Sequence, residues 1–278
     1  MKRTILGRLA LAVLLMAAPV GIASAADLAV KAPPKPLPPA FNWTGFYIGA
    51  YAGAAWTGPA TTSDPCIVGS IVCGTGFGTY NGIAPTPYNF DASFTGGGEI
   101  GYNWQPTPFT LLGFENKFGY MNLKASIIAN PFPAVGLGDT VYNTKIGNWY
   151  DAYTARVGAV DGHFMLFLEG GGVTARVSTG VVDTIVAPFC CTINTTTSKT
   201  VTGWAAGGGI EYAIDNSWSI KGEVLGLGLH STINHCGVAA SAAGPFATEC
   251  SFTKIGGVTM VDIGLNYRFG VAPLLARY

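Results

Sequence analysis

Ten ionisable side chains sit at alternate positions in runs that are otherwise apolar or glycine-rich: Glu99, Glu115, Lys117, Arg156, Glu169, Glu211, Lys221, Glu223, Asp262 and Arg268. Successive side chains of a strand point to opposite faces, so charges at this spacing collect on one surface. Three chemistries suit such a collection. A carboxylate pair could do general acid–base work, and a charged constriction could select ions. Carboxylates mixed with cations could instead neutralise one another, because a buried charge without a partner is costly. Both signs are present throughout, so the salt-bridge network is the favoured reading.

The other reactive residues lie between these runs. Of the six cysteines, Cys66 with Cys73 and Cys236 with Cys250 are the simplest disulfide pairs, each expected to constrain a loop by roughly 2–4 kcal/mol. Adjacent Cys190 and Cys191 would form a strained vicinal bridge, pair across loops or stay reduced. A structural zinc held by His230, His235 and Cys236 is the rival to the second pair. His163 falls in a short turn. Asp64, Asp139 and Asp183 stand at no spacing that links them to His230, so no enzyme activity is expected and no cofactor or metal is assigned. The glycine triplets 96–98, 170–172 and 207–209 do not sit between a strand and a helix, as a phosphate loop requires. Within strands they relieve curvature and make room for long side chains.

The elements that would position the charges are best seen in residues 204–225, WAAGGGIEYAIDNSWSIKGEVL. Trp204, Ala206, Gly208, Ile210 and Tyr212 alternate with Ala205, Gly207, Gly209 and Glu211. After the break at Asp215-Asn216-Ser217, Trp218, Ile220, Gly222 and Val224 alternate with Ser219, Lys221 and Glu223. This predicts a β-hairpin with one apolar and one charged face. Aromatics stand at both ends of the apolar face, as at the two rims of a bilayer. The same alternation predicts strands at 45–56, 91–104, 109–123, 149–160, 164–176 and 256–269, eight in all. Their connections run long, short, long, short, with long segments at 57–89, 124–148, 177–198 and 230–254. Short periplasmic turns and long extracellular loops are the asymmetry of an outer-membrane barrel.

Composition agrees. The chain is 49% hydrophobic and 11% charged, with 39 Gly among 278 residues, against roughly 25% charged in ordinary soluble domains. Residues 1–25 read as a secretory signal: Lys2, Arg3 and Arg8, an apolar stretch over 9–18, then Ala23-Ser24-Ala25. Its removal leaves twelve Lys+Arg against 15 Asp+Glu, so no basic surface is expected to hold nucleic acid. Beyond it no apolar run reaches the ~18–20 residues of a spanning helix, leaving a closed barrel as the way across a membrane. Residues 26–44 read as a Pro-rich periplasmic tail, with contact to peptidoglycan as its functional alternative. Residues 45–270 are expected to form a single all-β, eight-stranded antiparallel transmembrane β-barrel, with a second periplasmic tail at 271–278.

Five phrases carry a family resemblance: NWTGFYIGAYAG at 42–53, FTGGGEIGYNWQ at 94–105, GFENKFGY at 113–120, GWAAGGGIEYAIDNSWSIKGEVL at 203–225 and IGLNYRFG at 263–270. Together they resemble the porin-like surface-antigen barrels of Gram-negative outer membranes, an OmpA-like eight-stranded group. The resemblance implies outer-membrane lipid and the barrel assembly machinery as partners. Asp262, Gly264, Tyr267 and Phe269 match the terminal-strand pattern which that machinery reads, although residues 271–278 follow where most relatives stop. The resemblance says little about molecular role. With charges of both signs expected to block the lumen, a structural surface protein that contributes to envelope integrity and displays its loops is expected first. A narrow channel, as the porin label suggests, is second. Third is a loop receptor or adhesin for haem or a host surface, with His230 and His235 as haem-ligand candidates.

Overall fold

A computed structural model of the chain describes residues 41–64, 83–129, 140–184, 192–241 and 244–269. The expected signal peptide, most of the Pro-rich tail, Cys66, Cys73, Asp139, Cys190, Cys191 and the tail 271–278 lie outside the described residues.

Every described element is a β-strand. Eight of them form the barrel: β1 (Gly45–Thr57), β4 (Ser93–Thr107), β5 (Thr110–Ala129), β6 (Thr140–Asp161), β7 (Phe164–Thr184), β8 (Thr192–Ala213), β9 (Trp218–Gly228) and β12 (Val258–Arg268). All pair antiparallel in the order β8-β7-β6-β5-β4-β1-β12-β9, and β9 returns to β8. Closure leaves no barrel edge unpaired, which a bilayer demands. The register can be followed round the wall from Trp218 through Tyr267, Ile48, Ile100, Asn116, Tyr153, Gly172 and Trp204 to Gly228. The path meets β9 again ten residues beyond its start. That stagger tilts the strands steeply, and with eight of them the interior is only wide enough to be filled by side chains.

The two faces follow the expected alternation. Phe46, Ile48, Phe94, Ile100, Trp104, Phe114, Leu168, Trp204, Ile210 and Ile263 are exposed outward, while the intervening positions are buried. Asn116 and Asp151 place a polar pair on the outer surface, where Asn116 Nδ2 donates to Asp151 Oδ1 at 2.6 Å. The turn between β8 and β9 is fixed by Asp215, whose carboxylate accepts from the N–H of Ser217 (2.7 Å) and of Trp218 (2.8 Å). Those two bonds hold its pKa below the ordinary aspartate value.

Two expected loops prove largely to be strand. Between 124 and 148 the β5–β6 ladder continues up to Ala129↔Thr140, and between 177 and 198 the β7–β8 ladder continues up to Thr184↔Thr192. Threonine, valine and isoleucine recur among polar residues in these stretches, so polarity hid β-branched residues that favour strands. The first and last long segments also carry hairpins: β2 (Ala60–Asp64) with β3 (Ile83–Tyr88), and β10 (Ser231–Ser241) with β11 (Gly244–Ile255). Four further strands thus join the eight-stranded barrel in one sheet, β2 pairing with β11 and β10 touching β8.

The β10–β11 register sets Cys236 directly opposite Cys250. Directly opposed antiparallel residues have Cα atoms about 4.5–5.5 Å apart, within disulfide range. Peptide mapping without reductant is expected to recover residues 236 and 250 as one linked fragment. Reduction should weaken the hairpin by roughly 3 kcal/mol, the cost of freeing a loop of about 15 residues. Free thiols at both positions in unreduced protein would refute the bridge.

Candidate functional site

The charges meet inside the barrel because the register makes them neighbours. Glu99 lies opposite Lys117, Arg156 opposite Glu169, Glu211 opposite Lys221, and Glu223 opposite Asp262. Opposite charges facing across strands attract, whereas the last pair should repel. Lys117 resolves the repulsion by placing its Nζ 2.7 Å from Glu223 Oε1 and 3.0 Å from Asp262 Oδ2. Lys221 stands at the centre. Its ammonium is 2.7 Å from Glu99 Oε2, 3.0 Å from Glu115 Oε1 and 2.8 Å from Glu223 Oε2. Arg156 completes the layer at 2.6 Å from Glu115 Oε2, with Glu169 and Glu211 each 3.7 Å away.

Neutral side chains that sequence reasoning did not single out finish the network. The Tyr47 hydroxyl donates to Glu115 Oε2 at 2.7 Å and that of Thr154 to Glu169 Oε2 at 2.8 Å. Ser219 and Asn266 both donate to Glu211 Oε1. Lys117 lies 4.4 Å from the Tyr51 ring centroid, and Arg156 the same distance from that of Phe167. All of these are inward positions on predicted strands, so their parity was the signal available.

Arg268 does not join the network. It donates to the backbone carbonyls of Asn42 and Asn216 and lies over the rings of Phe41 and Trp43, and it has no ion pair among the described residues. Residues 41–44, read in sequence as the end of the tail, close the barrel here. Trp43 is buried, its backbone N–H donates to Gln105 Oε1 at 2.8 Å, and its indole N–H reaches the Gly162 carbonyl at 3.1 Å. His163 stacks on Phe41, with ring centroids 4.6 Å apart.

What lies above and below the charges limits what they can do. On the periplasmic side Trp43, Leu111, Val160, Met165, Phe167 and Ala213 form an apolar layer. On the other side Met121, Leu123, Ile146, Val177, Leu225 and Leu227 belong to a second, larger one. Glu99, Glu115 and Glu223 bring carboxylate oxygens within 4.8 Å of one another, a spacing fit for a metal ion. Lys221 already supplies a cation to all three. The three carboxylates are thus held by an ammonium in a layer with apolar clusters on either side.

The candidate histidine site separates in the same way. His235 is buried with its two ring nitrogens 2.8 Å from Thr195 Oγ1 and 2.7 Å from Thr197 Oγ1, and burial lowers its pKa. Both nitrogens are thus engaged by β8, while His230 is exposed. In the terminal-strand pattern Asp262 and Gly264 face inward. Tyr267 and Phe269 stack edge to face at 5.1 Å, with Phe269 exposed.

Comparison with known proteins agrees with this architecture. The profile of the outer membrane protein beta-barrel domain family matches residues 10–269. The 31 kDa outer-membrane immunogenic proteins of Brucella melitensis biotype 1 and Brucella suis biovar 1 are each 29% identical over 262 residues, covering 89% of this chain and 93% of theirs. Among solved structures, the outer membrane protein OprG of Pseudomonas aeruginosa is similar at 12% identity and a TM-score of 0.37, covering 82% of this chain and 98% of that one.

Proposed function

The chain belongs to the outer membrane protein beta-barrel domain family, and from that membership we propose that it is a structural outer-membrane surface protein with a lumen closed to ions. The observation that carries this reading is the stacking of the lumen: a charge layer neutralised from within, capped by apolar side chains on both sides. An ion crossing it would shed water twice against apolar walls and break several buried ion pairs between. The same stacking argues against enzyme activity in the lumen.

Above the barrel, β2, β3, β10 and β11 extend the paired sheet into a further surface. That surface supports a display role, in keeping with the immunogenic label of the Brucella relatives. A receptor or adhesin would use the same surface, and a narrow porin would use the lumen.

Conductance decides between the closed barrel and the porin. Refolded protein lacking residues 1–25, inserted in a planar bilayer, is expected to stay electrically silent. Insertion should be verified by resistance of the barrel to external protease. Steady, reproducible current steps from inserted protein would replace this reading with the porin.

A further inference from the structure

Above the outward aromatics of the wall, the outer face of β5 to β8 carries a groove of about 450 Å³. Lys124 and Lys145 line it and are direct cross-strand partners. Like charges placed directly opposite each other on a sheet destabilise it. Neither lysine makes an ion pair with any described residue. Arg176 adds a third exposed cation two positions below Ser178, the residue paired with Lys145. Asp91 is the one acidic residue in the lining, joined to this edge by its backbone N–H, which donates to the Lys124 carbonyl at 2.9 Å. The remaining polar lining is neutral and suited to oxygen-rich groups: Ser126, Asn143, Thr144, Ser178 and Thr196.

The height of the groove points to its occupant. Lys124 lies four residues beyond Tyr120 on β5, and both face outward. Four residues rise about 13 Å along a strand, or roughly 10 Å along the normal at barrel tilt. Aromatic girdles mark the membrane–water interface, so the lysines stand at the depth of the lipid headgroups. An excess of positive charge, two unpaired lysines side by side and neutral donors around them match a phosphate anion carried by a lipid.

We propose that this groove binds the phosphate-bearing headgroup of an anionic lipid in the outer leaflet. The site is independent of whether the lumen conducts. A phosphate between Lys124 and Lys145 would turn a repulsive cross-strand pair into a bridged one, and Arg176 would meet the same lipid nearer the chains.

The test is native mass spectrometry of the refolded protein extracted from mixed phosphatidic acid and phosphatidylcholine vesicles. The wild type is expected to retain phosphatidic acid preferentially. A basic residue at a membrane surface contributes roughly fivefold to such binding. Lys124→Gln and Lys145→Gln should each lower the preference about fivefold and the double variant roughly 30-fold. Lys254→Gln, on the exposed side of β11, should leave it unchanged. These lysines are exposed or half-buried and hold no other side chain in place, so folding should survive, and the single variants stand if the double one does not fold. Absence of a preference in the wild type, or an equal loss in Lys254→Gln, would overturn the proposal. Displacement of the lipid by millimolar inorganic phosphate would also overturn it, by making the groove a site for free phosphate.

Discussion

Lys221→Met should cost the barrel roughly 3–5 kcal/mol of unfolding free energy, measured by urea titration of protein refolded in vesicles. The methionine fills nearly the same volume and is apolar, so packing alone predicts little change. The loss arises from what Lys221 leaves behind. Glu99, Glu115 and Glu223 all lie within 3.0 Å of its ammonium, and Glu99 and Glu115 would keep only the longer or partial support of Lys117 and Arg156. Breaking a buried ion pair by removing one partner strands a charge that has already lost its water. The double variant Lys221→Met with Glu115→Gln should recover part of the loss, because it removes one of the stranded charges, and the coupling between the two changes measures their interaction. Lys254→Met at an exposed position of β11 should stay within about 0.5 kcal/mol of wild type. If Lys221→Met matched that control, the charge layer would not be holding the barrel together.

The network was legible as a set and not as an arrangement. Parity alone puts Glu115, Lys117, Lys221 and Glu223 on the inner face, because a period of two admits no other placement once Phe114, Phe118, Ile220 and Val224 face lipid. Parity does not say which strands adjoin across the closure. The contact between Lys117 on β5 and Asp262 on β12 depends on shear, which no local pattern records. Arg268 shows the limit: its parity is correct, yet it lies one layer too low and meets carbonyls instead of carboxylates.

The apolar layer above the charges was hidden for a related reason. Ile146 and Val177 lie where polar loop was expected, Met121 and Leu123 end the predicted strand at 109–123, and the outward neighbours Asn122, Lys124 and Lys145 are hydrophilic. Beyond the membrane the outer face meets water and the inner face becomes the core, so the polarity of the alternation reverses. A segment that reverses its pattern halfway reads as irregular, and β5, β6 and β7 do so here.

That two-sidedness makes adjacent glycines unequal. Gly97 and Gly98 are chemically identical neighbours in β4, yet one faces the lumen and the other lipid. A Cβ added at Gly97 would overlap the Phe118 carbonyl oxygen and lie 2.6 Å from the Gly119 Cα and 2.9 Å from the Tyr51 hydroxyl. Gly97 is paired with Gly119, and the Tyr51 phenol lies over both on its way to the Tyr150 hydroxyl. The missing side chains make the room which that tyrosine fills. At Gly98 the nearest atom to an added Cβ is 3.6 Å away, an ordinary contact. Gly97→Ala should therefore destabilise by roughly 1–3 kcal/mol, and by more if the ladder must part to admit the methyl. Gly98→Ala should be neutral or stabilising by a few tenths of a kcal/mol, because it removes backbone freedom from the unfolded chain at no steric cost. Urea midpoints of the two variants, measured side by side in the same vesicles, read the difference directly. Equal losses would mean that Gly97 and Gly119 do not make the space that Tyr51 occupies.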